Sequence, residues 1–228
     1  MRILSASDSS VIAVFGEKES LAAHRRVLEL FYKLRALKDP RIRNIHPAYA
    51  SVLIDFDPLR VTHDQLLVLV EQLMQKPASE AAVATRLVCI PVCYDSPCGP
   101  DLEDVAEHCR ISVEEVIRLH SSADYSVSFL GFSPGFAYLA GLPSKLAAGR
   151  LTTPRRLVPA GSVGIAGTQT GVYPLDSPGG WKIIGRTPMR MFDPEAEPPT
   201  AIQSGDRVRF VPIDSREFEL QLANRRET

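Results

Sequence analysis

The sequence predicts an α+β protein in two parts, a small unit of strands and helices followed by a β-rich unit built as a barrel or sandwich. Three observations carry this. Apolar residues keep helical spacing from Lys18 to Leu37 and again behind Thr62, each time next to an alternating run. The stretch Lys76–Thr85, KPASEAAVAT, is small, polar and proline-started. It reads as a linker and divides the chain into domains at residues 1–80 and 86–228. From Pro134 onward Gly and Pro recur too often for long helices, with short strand candidates between the turns.

Each element has its own reason. Ser9–Gly16 alternates as a strand that ends at Gly16. In the helix behind it, Leu21, Val27, Leu28, Phe31, Leu34 and Leu37 share the apolar stripe, and Pro40 stops it. Tyr49–Phe56 alternates toward a second strand, turned by Asp57-Pro58. Thr62 and Gln65 form a capping box for a Leu-rich helix running to about Met74. In the second part, Arg86–Tyr94 reads as a strand. Its Cys89 and Cys93 share a face and are expected to be small core residues. Asp101–Arg110 reads as a short helix, and Ser112 with Glu115 as a capping box for another that ends near His120. Tyr125–Phe132, Gly161–Gly167, Gly179–Gly185 and Arg207–Ile213 are strand candidates, and a last short helix begins near Asp214.

Composition excludes several functions. With 26 Lys and Arg against 27 Asp and Glu, there is no positive excess for holding a nucleic-acid backbone. No apolar run approaches the roughly 20 residues of a membrane span. MRILSASDSS is too short of apolar residues for a signal peptide, so the four cysteines are expected to be reduced, in the cytoplasm. Their spacing does not repeat as paired CxxC units, and no metal site is expected.

Three segments are candidates for chemistry. Gly131-Phe132-Ser133-Pro134-Gly135 has the letters of a hydrolase nucleophile elbow. The residue that should donate its N–H to an oxyanion is Pro134, which has none, so Ser133 is rejected as a nucleophile. The segment reads instead as a tight turn carrying Phe132, Phe136 and Tyr138 into a pocket wall or core. The second candidate, Val158–Trp181, interleaves glycines with Ser162, Thr168, Gln169, Thr170, Tyr173 and Ser177. Its neutral donors and acceptors, beside the single Trp181, suit a small polar molecule with an amide. It is not a Walker loop. The third is the set Arg155, Arg156 and Arg186, any of which could be a fork for a carboxylate or phosphate. Asp55 and Asp57 are read as strand-end turn residues. His120 is placed at a helix end, favourable to its protonated form, with no visible partner as a base.

GFSPGFAYLAGLP, and then TPRRLVPAGSVGIAGTQTGVYPLDSPGGWKIIGRTP, resemble the signature of a known family. That family holds the B subunit of bacterial 5-oxoprolinase, the sporulation-kinase inhibitor KipI and the first allophanate-hydrolase-type subunit. The resemblance covers nearly the whole chain. It implies a small N-terminal α/β sandwich-like domain and a C-terminal cyclophilin-like β-barrel. It implies a homologous C subunit and a separate A subunit of 5-oxoprolinase as partners in opening 5-oxo-L-proline to L-glutamate. ATP, with Mg, would be consumed at the level of the complex. A lactam is a poor electrophile, and phosphorylating its carbonyl oxygen makes a better target for water. On this reading Gln169 and Thr170 contact the lactam, and Arg155 or Arg186 an anionic group. Phe132, Phe136, Tyr138, Tyr173 and Trp181 complete the binding pocket, and no catalytic residue is assigned. Two other roles in the same family are binding to a sensor histidine kinase and service in a urea or allophanate pathway.

Overall fold

The computed structural model describes residues 1–16, 20–77 and 86–225, apart from the side chain of Leu21. Most of the expected linker, residues 78–85, and the first turn expected for the helix at Lys18 lie outside these residues. The chain divides into two compact units, Met1–Thr85 and Arg86–Thr228.

The first unit is a four-stranded antiparallel sheet with two helices. In chain order it runs β1 (Arg2–Ser7), β2 (Ser10–Val14), α1 (Leu21–Leu37), β3 (Ile42–Pro47), β4 (Ser51–Phe56) and α2 (His63–Gln75), with sheet order β1-β2-β4-β3. Val11, Ala13, Val52, Ile54 and Phe56 bury one sheet face against Val27, Leu30 and Leu34 of α1 and Leu66, Val70 and Leu73 of α2. The reciprocal capping box of Thr62 and Gln65 is formed. Helix α1 ends at Leu37, where its apolar spacing ends, and Lys38 turns left-handed at φ 47° two residues before Pro40. Lys33 ties the helices together, its ammonium donating to the carbonyls of Leu73 (2.9 Å) and Lys76 (2.6 Å) at the open end of α2. Strands β1 and β3 have no counterpart in the sequence reading. They are the sheet's edges and are largely exposed, so they lack the apolar alternation of β2 and β4.

The second unit is a closed barrel. Its elements are β5 (Leu87–Cys93), α3 (Leu102–Cys109), α4 (Val113–Ser122), β6 (Tyr125–Leu130), β7 (Ala137–Ala140), β8 (Arg155–Val158), β9 (Ser162–Ala166), β10 (Gln169–Val172), β11 (Ser177–Gly179), β12 (Lys182–Arg186), β13 (Arg207–Ile213) and α5 (Ser215–Asn224). Around the barrel the order is β10-β7-β6-β13-β5-β12-β9, closed by the β9–β10 hairpin. Among the described strands only β5 and β13 run parallel, in register from Leu87↔Arg207 to Cys93↔Ile213. Strands β8 and β11 form a separate two-stranded ribbon. Inward residues such as Ile90, Val92, Val127, Leu139, Val163, Ile165, Val172, Ile184, Val208 and Phe210 make the core, with Val105 of α3 and Val116 of α4 packed on it.

Two local expectations change. Cys89 is exposed, and Cys93 is buried outside the barrel core, where its Sγ lies 3.7 Å from the Ser215 hydroxyl at the start of α5. Both point away from the inward face of β5, which Ile90 and Val92 occupy. At α4 the Ser112 hydroxyl accepts the Glu115 N–H at 3.2 Å, but the Glu115 carboxylate turns to Arg118 (2.7 Å) instead of completing the box.

His120 is not the protonated helix-end histidine expected. Its ring is fully buried, stacked 4.4 Å from Phe210, and burial holds its pKa down at about 3. A single proton order satisfies it. The Thr170 hydroxyl donates to the Gly164 carbonyl at 2.9 Å, so it accepts from His120 Nε2–H at 3.1 Å. Nδ1 is then the acceptor for the Tyr94 hydroxyl at 2.7 Å. Tyr125 donates to the His120 carbonyl at 2.9 Å, satisfying an open group near the end of α4. This chain is a neutral, fully paired polar thread through an apolar core.

Candidate functional site

The Gly131–Gly135 turn does not have the strand-to-helix backbone of a hydrolase elbow. The Ser133 N–H closes on the Gly131 carbonyl at 2.8 Å, forming a γ-turn centred on Phe132 at φ 69°. Pro134 has no N–H, and strand β7, not a helix, follows. Positive φ is strained for a bulky residue, and Phe132 is left 66% exposed at the tip. Phe136 is buried, and the Phe132 ring meets its ring edge-on at 5.4 Å.

The aromatic residues gather, but mainly upon one another. Phe136, Tyr138, Tyr173 and Trp181 make edge-to-face contacts with centroids 5.1–6.4 Å apart, on the barrel's outer side with Val158, Ala166 and Ile183. Of the two roles expected for Phe136 and Tyr138, pocket wall or core, this packing favours core, and it buries Phe136, Tyr173 and Trp181 together as a second small core.

Beside that core lies a cavity of about 290 Å³, lined by residues from the loop after β5, from β8, β9 and β12, and from α5. Val158 and Ile183 belong to both the aromatic core and the cavity wall. Two expected site residues, Arg155 and Arg186, line it together. Their states differ. Arg155 gives both terminal nitrogens to the buried Asp101 carboxylate, at 2.8 and 2.6 Å. The same carboxylate accepts the Ile183 N–H at 2.6 Å, pinning the start of α3 to β12. Asp101 thereby holds Arg155 more firmly charged than a free arginine. Among the described residues Arg186 bonds only through Nε, to the Ala160 carbonyl at 3.0 Å, and it lays its guanidinium 5.8 Å from the Phe218 ring centroid. The arginine expected to be free in either position is therefore free in one. Arg156 is exposed, outside the cavity lining.

The other two expected contacts are elsewhere. Thr170 has no exposed surface and points at His120 inside the barrel, which corrects its reading as a ligand contact. Gln169 pairs with Ala166 at the far end of the β9–β10 hairpin from Ser162, four residues and so about 13 Å along the strand. The glycine-rich stretch spends its amides internally. Ala160 N–H goes to Asp176, Gly161 N–H to the Tyr173 carbonyl and Ser162 N–H to the Pro159 carbonyl. Gly161 is required for this turn, since at φ 85° an added Cβ would collide with the Thr187 carbonyl.

Sequence reasoning singles out neither Asp101 nor Cys98. In sequence Asp101 is an ordinary acid at the start of the expected α3 helix. Cys98 lines the cavity, and burial followed by a hydrogen bond with Cys93 pushes its thiol up to about 12, so it presents S–H and no charge. Among the described residues no cluster of three or more His, Cys, Asp or Glu is arranged to hold a metal ion. No described helix is long and apolar enough to cross a membrane.

Comparison with known proteins gives the chain its context. The carboxyltransferase domain family, subdomains C and D, matches residues 1–202. A curated protein named as the B subunit of 5-oxoprolinase, from Bacillus subtilis (strain 168), is 38% identical over 221 residues, 92% of each chain. Its namesake from Escherichia coli O157:H7 is 41% identical over 207 residues, 90% of this chain and 93% of that one. The crystal structure of TTHA0988 shares 39% identity and superposes with a TM-score of 0.81, covering 90% of this chain and 40% of the longer one.

Proposed function

This chain belongs to the carboxyltransferase-domain family that includes the 5-oxoprolinase B subunit, and we propose that it serves as that component in the cytoplasm. Working with the A and C subunits, it opens the lactam of 5-oxo-L-proline to L-glutamate while ATP is hydrolysed. The observation that carries this reading is the near full-length likeness to proteins of that name. The cavity supports it: about 290 Å³, a terminally unpaired guanidinium and apolar walls suit a small monocarboxylate. The carboxylate of 5-oxoproline would face Arg186, while Arg155 stays with Asp101.

A nucleotide does not fit the same residues. The volume is at the low end for a drug-sized ligand, one guanidinium is available, and the nearby glycine-rich amides are already bonded. The ATP and Mg site therefore falls to the partner proteins, and no step on ATP is assigned to this chain.

The reading is tested by following glutamate release from 5-oxoproline with this chain and the A and C subunits, omitting one component at a time. Glutamate formed only with ATP and all three proteins is the expected result. A folded three-protein assembly that releases none with ATP would overturn it.

A further inference from the structure

Among the described residues, the cavity lining holds a hydroxyl and the end of a guanidinium with no protein partner. Ser162 and Arg186 are Cα partners across the β9–β12 pairing, and both line the cavity. Ser162 is only 2% exposed. Its N–H goes to the Pro159 carbonyl at 3.1 Å and its carbonyl receives the Tyr173 N–H at 2.9 Å. Among the described residues its hydroxyl has no partner. Neither do the terminal nitrogens of Arg186, which bonds through Nε alone. A hydroxyl on a cavity-lining residue with no protein partner is available to an arriving acceptor.

The neighbouring groups are already engaged. Ser215 gives its N–H and its hydroxyl to Asp95 Oδ2, at 3.0 and 2.8 Å. Arg155 is held by Asp101. Glu219 contributes to the lining but is exposed and ion-paired to neither arginine among the described residues. The Cys98 thiol stays neutral. What remains is a hydroxyl and a guanidinium edge on adjacent strands, facing one space, with Pro97, Pro100 and Phe218 as apolar wall.

We propose that Ser162 and Arg186 together form a carboxylate subsite, the hydroxyl and the terminal guanidinium N–H groups donating to one carboxylate of a small, compact monocarboxylate. The subsite deepens the function proposed above and rests on it for the identity of the natural ligand. Ser162 is its specificity-determining member. A guanidinium alone attracts any anion, whereas a hydroxyl fixed on the neighbouring strand sets the plane in which a carboxylate is held.

The test is calorimetric titration of the full chain with three probes: propionate, 5-oxo-L-proline and the uncharged lactam 2-pyrrolidinone. Ser162→Ala is expected to weaken both carboxylates about tenfold, and Arg186→Lys to weaken them by a similar factor because the fork is lost while the charge stays. Neither change should affect 2-pyrrolidinone. Thermal melts of both variants establish that each is folded. Carboxylate binding unchanged in both folded variants would overturn the subsite, as would failure of the folded wild-type chain to bind either carboxylate at millimolar concentration. Propionate binding that depends on Ser162 and Arg186, without binding of 5-oxoproline, would uphold the subsite and overturn the lactam reading instead.

Discussion

Arg155→Ala is expected to destabilise the barrel unit by roughly 3 kcal/mol, the scale of breaking a buried ion pair by removing one partner. Asp101 is 7% exposed, and its carboxylate has two protein partners, the Arg155 fork and the Ile183 N–H. Without the fork, a nearly buried negative charge keeps a single neutral donor. The fall in Tm should be on the order of 10 °C for a unit of this size. Asp101→Ala should cost a similar amount, because it leaves the arginine unpaired and removes the carboxylate that accepts the Ile183 N–H. The double variant should cost clearly less than the sum of the two, since each single change already removes the shared interaction. Urea melts of the three variants check this. Additive losses would mean that the pair is not coupled. A stable Arg155→Ala protein that had lost only ligand binding would return Arg155 to the site.

The second large effect comes with acid. The folded state keeps His120 neutral down to about pH 3, while the unfolded chain protonates near the ordinary value of 6.5. Between those values the unfolded state binds more protons, so stability rises with pH across the window. The contribution is fully present above pH 6.5 and is lost as pH falls toward 3, with a total on the order of 5 kcal/mol. His120→Gln removes the titrating ring while keeping a polar side chain. It should be less stable than the parent at pH 7.5, and its urea midpoint should fall more slowly between pH 6.5 and 4. Parallel pH profiles for parent and variant would show that His120 does not carry the acid sensitivity.

The parts of the fold legible in the sequence are those that local chemistry fixes. Thr62 with Gln65, Asp214 before α5, and the run Arg207–Ile213 each carry their own signal, and each element stands where that signal places it. Strands β7, β8, β10 and β11 have only three or four residues each, too short to alternate visibly. Edge strands β1 and β3 bury too little to carry an apolar pattern. The site is legible as residue types but not as partnerships. Arg155 and Arg186 look alike in sequence, and only the Asp101 carboxylate, 54 residues from Arg155, separates them. Thr170 looks like a ligand donor because its neighbours in sequence are polar. The strand alternation that turns it inward, against a histidine from α4, is a property of barrel closure. Ser162 carries a signal in the glycine-rich stretch, but its pairing with Arg186 is a matter of register.

The central claim is that this chain supplies a binding site for the substrate's carboxylate through Arg186. The most direct measurement is steady-state glutamate release by the assembled three-protein complex carrying Arg186→Ala, compared with the parent at matched folded concentration. Losing a charge-assisted pair predicts a fall in kcat/KM on the order of 100-fold, carried mainly by KM. An unchanged kcat/KM in a complex that assembles and consumes ATP normally would contradict the claim and move the substrate site to another surface.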